Sequence, residues 1–346
     1  MRGLGQAPGP ALPLTRDEAA ALLLPVLDQP GGAVLAVSGG PDSVSLMRFA
    51  AAIARDPGAI LVATVDHGLR PGSRAECDAV AAWAGACGLR HAILTWDAAK
   101  PRTRVQEAAR EARYALLAAA ARAAGATQVV TAHTLDDQAE TVLMRLAAGT
   151  GIGGLAAMRP SVERQGVTIA RPFLAVRKAR LVAACEAQGW PFHDDPSNAD
   201  PRFARARLRH IAPLLEAEGL TPERLAALAE RAHRAEEALA LRAEQVLAAA
   251  RSDAARPVME LDGSRLAAEP EAILVRAVAL AIAAALGPEV RPVRLERFEA
   301  RVLGDLRAAL EGGRRLRLTL AGALIEAQPD RRVLVGPEPE RRRGRR

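Results

Sequence analysis

The chain is poor in cysteine. Its three residues, Cys77, Cys87 and Cys185, are odd in number and form no C-x-x-C pair within 346 residues, which argues against a disulfide framework and against a zinc knuckle. Long apolar runs are also missing. The most apolar stretch, residues 277–286, follows directly on Arg276 and falls short of the roughly 20 residues that cross a bilayer. Residues 1–15 hold Pro, Gly and one Arg but no continuous apolar core of the kind a secretory leader needs. The sequence therefore predicts no membrane span and a cytoplasmic location. With half of its residues hydrophobic and a quarter charged, the composition excludes wholesale disorder, and the length suits about two domains. Lys and Arg number 47 against 40 acids, a net charge of +7; this favours an anionic partner without identifying one.

What is present begins with a repeating pattern. Short apolar runs at 33–37 (AVLAV), 60–65 (ILVATV), 91–96 (HAILTW) and 128–132 (QVVTA) alternate with helical stretches near 42–55, 73–88 and 106–124. Such alternation predicts an α/β fold with a doubly wound, mainly parallel sheet buried on both faces. The loops that leave the carboxyl ends of those strands are then where a ligand sits. Residues 1–29 form a Pro/Gly-rich lead and a short helix over 16–27, with Thr15 as its N-cap. The main domain spans 30–215. Its later part carries Gly-rich turns at 149–155, a helix near 176–188, a polar stretch at 193–201 and an arginine-rich helix from about Arg202. Residues 216–256 read as a helical connector, and 257–338 as a small α+β domain with a strand near Val258, helices around 270–286 and 293–311, and alternating strands at Leu316, Leu318, Leu320 and at Val333, Val335. The basic tail 339–346 is expected to be disordered and solvated.

The sharpest local signal is Ser38-Gly39-Gly40-Pro41-Asp42-Ser43, placed after the first strand and opening a helix. A helix N-terminus offers free backbone N–H groups and a favourable dipole to phosphate oxygens. Gly39 and Gly40 permit close approach and positive φ, the hydroxyls of Ser38 and Ser43 add donors, and Pro41 suits the first helical turn. The hexapeptide is neither a Walker loop nor G-x-G-x-x-G. A second cluster follows the fourth strand: on a helix starting near Asp136, the residues Asp136, Asp137 and Glu140 fall on one arc beside His133, and apolar residues occupy the neighbouring arc.

The hexapeptide resembles the pyrophosphate loop of the N-type ATP pyrophosphatases, which cleave ATP between its α- and β-phosphates to adenylate a carbonyl oxygen. Four further segments, 65–70 (VDHGLR), 131–141 (TAHTLDDQAET), 149–158, and 194–198 with 202–209, make residues 30–215 similar to the tRNA(Ile)-lysidine synthetase family. The resemblance implies ATP and Mg²⁺ as cofactors. It implies tRNA(Ile) with a CAU anticodon and free L-lysine as partners, with a homodimer left open. Cytidine 34 would be activated at C2 and joined to the lysine ε-amine, giving lysidine, AMP and pyrophosphate, so that the codon read changes from AUG to AUA and the charging from Met to Ile.

Residue by residue, the resemblance assigns Ser38, Gly39, Gly40, Pro41, Asp42 and Ser43 to ATP and pyrophosphate. Asp66 and His67, at the end of the second strand, would lie on the adenosine side or form a purely structural turn. Asp137 and Glu140 would help bind lysine, Asp42 or Asp136 would hold Mg²⁺, and His133 would contact phosphate or base. Arg110 and Arg113, three apart and so sharing one face of the helix, would neutralise the charge of the departing pyrophosphate. Arg202, Arg205, Arg207 and Arg209 have no acid among them; helical spacing puts Arg202, Arg205 and Arg209 on one face, from which they would follow the tRNA backbone or reach back into the cleft. Thr134 departs from the family, which often has a second His there. The small C-terminal domain would contact tRNA. Two other classes compete: a sulfur-transferring tRNA enzyme on the same fold, which would need paired cysteines, and a nucleotide- or RNA-binding protein without catalysis.

Overall fold

The computed structural model describes residues 11–68, 72–98, 100, 101, 103, 105–194, 200–252 and 258–339. They divide into two compact units, one reaching Ala148 and resuming over Ala157–Ala229, the other made of Gly149–Ala156 and the chain from Glu230.

The first unit opens with α1 (Arg16–Leu27), started by a capping box in which Thr15 and Glu18 satisfy each other's backbone N–H groups. Then come β1 (Ala33–Ala36), α2 (Pro41–Ile53), β2 (Ile60–Asp66), α3 (Ser73–Ala86), β3 (Arg90–Thr95), α4 (Val105–Ala123), β4 (Gln128–Thr131) and α5 (Leu135–Ala147). After the one-turn α6 (Ile152–Leu155), which belongs to the second unit, the first unit resumes with β5 (Ser161–Arg164), β6 (Val167–Ala170), α7 (Lys178–Ala187) and α8 (Ala204–Ala217). The strands order as β3-β2-β1-β4-β6-β5, parallel except for the antiparallel edge strand β5. All four residues of the central β1 are buried, which is what a strand covered on both faces requires.

One face of the sheet carries α2 and α7, whose Leu46, Met47 and Leu181 are fully buried; the other carries α4 through Tyr114, Leu117 and Ala121. Each such aliphatic burial contributes about 1.5–3 kcal/mol, which fixes the strand ends and hence the loops above them. The β5–β6 hairpin was not evident in the sequence. Its turn places both Gln165 and Gly166 at positive φ, the geometry of a two-residue hairpin turn, but the polar SVER strand offers no apolar run.

The connector is α9 (Pro222–Ala250), one continuous helix inside which the division between units falls. The second unit continues with β7 (Met259–Asp262), α10 (Gly263–Ala267), α11 (Glu271–Leu286), α12 (Leu295–Glu299), a π-helical stretch Ala300–Arg307 and α13 (Ala308–Glu311), and then β8 (Leu316–Leu320), β9 (Ala323–Ala327) and β10 (Arg332–Pro337). Its sheet has the order β7-β10-β9-β8 and is antiparallel throughout. The additional strand β9 is joined to β8 by a turn with Ala321 and Gly322 at positive φ.

The apolar segment at 277–286 lies in α11, which matches the helix expected around 270–286. By length and hydropathy, Glu271–Glu289 could cross a bilayer. Its buried Ile273, Leu274, Ala277, Val278, Ala281 and Ile282 are instead the centre of this unit's core, which accounts for the hydropathy. The basic tail from residue 340 lies outside the described residues.

Candidate active site

The phosphate loop connects β1 to α2. Gly39 has φ +89°, and a Cβ there would stand 2.8 Å from the His193 ring. The His193 N–H also donates to the Gly39 carbonyl at 2.8 Å. Only glycine satisfies both conditions. Gly40 is different: its φ is −73°, so positive φ is not its reason, and no described atom lies within 4 Å of a Cβ placed on it. As N-cap of α2 it leaves backbone open where the helix's first-turn amides have no intrahelical acceptor. The hydroxyls close on the loop itself, since Ser43 Oγ accepts from the Ser38 N–H at 3.1 Å and donates to the Gly40 carbonyl at 2.9 Å.

Asp42, in the first turn of α2, accepts a hydrogen bond from Lys178 Nζ at Oδ2, 2.8 Å. Its Oδ1 is buried with no partner among the described residues. Burial pushes this carboxyl above the usual carboxylate range, opposed by the Lys178 ammonium.

The acids of α5 divide their tasks. Thr134 is the N-cap, and Asp137 completes a capping box, its Oδ2 accepting from the Thr134 N–H at 2.9 Å and hydroxyl at 3.1 Å. Against the penalty of burial, these bonds and the Arg205 guanidinium hold the Asp137 carboxyl below its ordinary value. Thr134 therefore stands in a structural position, where a short hydroxyl can start the helix. Asp136 turns toward α7: Oδ2 accepts from the Lys178 backbone N–H at 2.6 Å, and Oδ1 lies 3.4 Å from the Arg177 guanidinium. The three carboxylates expected on one arc do not share one cavity: Asp137 lines the larger one, whereas Asp136 and Glu140 lie against a smaller space. Glu140 is buried and pushed upward by that burial, opposed by Arg209, whose Nε donates to it at 2.6 Å. Arg205 stands 3.6 Å from Asp137 and 3.9 Å from Glu140.

His133 Nδ1 pairs with the Thr131 hydroxyl at 2.8 Å. Burial pushes this imidazole down to about 3, with Arg113, Arg171 and Arg110 acting in the same direction against Asp137. It is neutral at physiological pH. In the unfolded chain a histidine titrates near 6.5, so as pH falls below that value the unfolded state gains a proton that the folded state refuses. This contribution is fully present above pH 6.5 and is lost progressively toward pH 3, at about 1.4 kcal/mol per pH unit. Chemical denaturation at pH 7 and pH 5 should therefore show a larger acid-side loss for the wild type than for His133→Asn; equal losses would show that His133 is protonated in the fold.

Two cavities meet at this point. One, of about 660 Å³, is lined by Ser38, Asp42, His133, Asp137, Lys178 and Arg205 among others. The other, of about 600 Å³, is lined by His67, Gln106, Arg113, Arg202 and Phe203, and shares Ala36, Ser38, Glu76 and Arg113 with the first. A smaller space of about 230 Å³ lies against Asp136, Glu140, Lys178 and Arg209.

The remaining expected residues separate. Asp66 takes the Gly68 N–H at 2.9 Å and the Ser73 hydroxyl at 2.7 Å and so holds a turn, while His67 faces the cavity. Of the α4 pair, Arg113 lines both cavities, whereas Arg110 is exposed and lies over Tyr114 at 5.2 Å. The expected single face is thus split, and Glu111 pairs with Arg164. Arg202 precedes α8 and pairs with Asp200, so it does not share a helix face with Arg205 and Arg209, contrary to the spacing argument. Arg207 donates to the Pro201 and Arg202 carbonyls at 2.9 and 3.0 Å. Residues 69 and 70 of the second motif and the Asp-Pro-Ser-Asn turn at 195–198 lie outside the described residues. Lys178, Arg177 and His193 were not singled out by the sequence; Arg-Lys opening a helix carries no signature of its own.

A glycine-rich turn leaving the first strand of a parallel sheet, with acids and arginines gathered above it, marks a protein of the PP-loop class, and residues 16–215 match the PP-loop domain family. A tRNA(Ile)-lysidine synthase of Methylobacterium sp. (strain 4-46) is 57% identical over 97% of this chain and 98% of its own. The enzyme of the same name from Methylobacterium nodulans is 54% identical over 96% and 99%. The chain belongs to the tRNA(Ile)-lysidine synthase family and is a ligase of that type. Among solved structures, the U34-tRNA thiolase NcsA from Methanococcus maripaludis matches with a TM-score of 0.51 at 17% identity, covering 62% of this chain and 78% of that one, a likeness of fold.

Proposed function

We propose that the protein uses ATP to adenylate the C2 oxygen of cytidine 34 in the CAU anticodon of tRNA(Ile) and then joins free L-lysine to C2 through its ε-amine. The observation that carries this reading is the opening of the phosphate loop, His133, Asp137 and the α8 arginines onto one cavity. In the first step the C2 oxygen attacks the α-phosphorus and pyrophosphate leaves. In the second the amine nitrogen, having given up a proton, attacks C2 and AMP leaves with the oxygen. A pyrimidine oxygen is a poor leaving group until it is part of a phosphate ester, so the order is dictated by the chemistry.

Neutral His133 suits a hydrogen bond to phosphate or base and does not repel Arg113 or Arg205. Asp137 and Glu140 suit the lysine ammonium, and Arg113 the charge that develops on the phosphates. Mg²⁺, when bound, supplies charge neutralisation to the phosphates. The buried Oδ1 of Asp42, without a partner among the described residues, fits such a hard cation, whereas both oxygens of Asp136 are engaged. We extend the proposal to a cytoplasmic enzyme whose second unit contacts tRNA, acting as a monomer or a homodimer, which sedimentation distinguishes.

The sulfur-transfer alternative lacks its chemistry here. Cys77 and Cys87 are on or at the end of α3, Cys185 is on α7 with its sulfur 3.1 Å from Ser45 Oγ, and all three are free. The deciding assay is AMP release from ATP with purified chain. It should require both tRNA(Ile) transcript and lysine, and should fail with tRNA(Met) bearing the same anticodon; AMP release without tRNA rejects the reading.

Binding of tRNA should weaken steeply with salt. About four phosphate contacts, from Arg202, Arg205 and neighbours, would lower affinity about a hundredfold between 50 and 200 mM. A salt-independent affinity would remove these arginines from the RNA interface.

A further inference from the structure

Lys178 opens α7 and is fixed at both ends. Its backbone N–H is held by Asp136 at 2.6 Å, and its ammonium reaches Asp42 at 2.8 Å. The ammonium thus stands beside the first turn of the phosphate-binding helix and lines the cavity together with Ser38, Gly40 and Ser43. Cations are ordinarily disfavoured at a helix N-terminus. One placed there, held by a single carboxylate, stands beside the first-turn amides of the helix, where a phosphate group would lie.

The neighbouring Arg177 makes the contrast. Its guanidinium is shared by Asp136, Glu216 and Glu223 at 3.4, 3.1 and 3.1 Å, so it ties α5, α7, α8 and the start of α9 together. Lys178 has one acidic partner among the described residues. An ammonium carries three donors, so two are available to a ligand in the cavity. Its side chain is 38% exposed, enough to adjust its reach.

We propose that Lys178 is a further substrate-binding residue, contacting the β- and γ-phosphates of ATP and then the released pyrophosphate. This rests on the reading of the cavity as an ATP-pyrophosphatase site and deepens it. Asp42 keeps the ammonium in place before the nucleotide arrives, and the backbone clamp by Asp136 keeps α7 in register whatever the side chain at 178.

The test is calorimetry on the full chain with two probes, magnesium pyrophosphate and AMP. Lys178→Gln should weaken pyrophosphate binding about tenfold or more and leave AMP binding within about twofold, because AMP lacks the phosphates concerned. Lys178→Arg should restore most of the pyrophosphate affinity. Pyrophosphate binding that is undetectable in the wild type or unchanged in Lys178→Gln overturns the assignment. So does an equal loss for both probes with a lowered melting temperature, which would make Lys178 only the counterion of Asp42. Failure of the underlying reading looks different: the wild type would form no AMP from ATP with tRNA and lysine present.

Discussion

Replacing Asp42 by Asn should abolish AMP formation, by about a hundredfold or more, and leave tRNA binding nearly intact. The carboxylate is held in the first turn of α2 by Lys178, and its second oxygen is buried without a partner among the described residues. Asn keeps the shape and can still accept from Lys178 but carries no charge for a cation or for the ammonium to balance. Preorganised charge at the reacting phosphates is commonly worth two to three orders of magnitude in rate. Ser43→Ala should act in the same direction, since its hydroxyl ties the Ser38 amide to the Gly40 carbonyl. A rate of AMP release, measured beside a filter-binding isotherm for tRNA, decides the matter. Parallel loss of both activities would mean that the loop supports the whole RNA-binding surface and not the nucleotide alone.

Glu140→Gln should separate the two chemical steps. Glu140 is buried and bonded to Arg209, so the substitution preserves size and a hydrogen-bond acceptor but removes a charge. A charge-assisted contact of about 1.5–3 kcal/mol corresponds to roughly tenfold to more than a hundredfold in lysine affinity. The variant should still form adenylated tRNA or exchange pyrophosphate, while incorporating labelled lysine poorly, with KM for lysine raised and KM for ATP little changed. If ATP turnover collapses while lysine affinity stays normal, Glu140 serves the nucleotide and its assignment to lysine is wrong.

Much of the first unit was legible because its signals are local. Four β-branched or aliphatic runs and the caps around them predict β1 to β4 within a residue or two, and Thr15 starts α1 as its side chain dictates. The β5–β6 hairpin and β9 were not, since a polar edge strand and a tight two-residue turn leave no periodic pattern. At the site, residue types could be read but not their partners. Asp136, Asp137 and Glu140 sit on one arc of a helix, yet what each one does is decided by α7 and α8, which arrive from far along the chain. For the same reason Lys178 and Arg177 gave no signal, and Arg202 was placed on a helix that begins two residues later.

The contact of His193 with Gly39 makes two distant positions a single hereditary unit. The imidazole fills the volume that any side chain at 39 would need, and its backbone holds the same residue's carbonyl. Drift at 193 is therefore free only toward residues no bulkier on that side. A side chain at 39 would stay strained by the φ of +89° even if 193 gave way, so the ring contact can be relieved from outside the motif but the backbone cannot. A catalogue of tolerated substitutions confined to the hexapeptide would overlook half of what keeps it in shape.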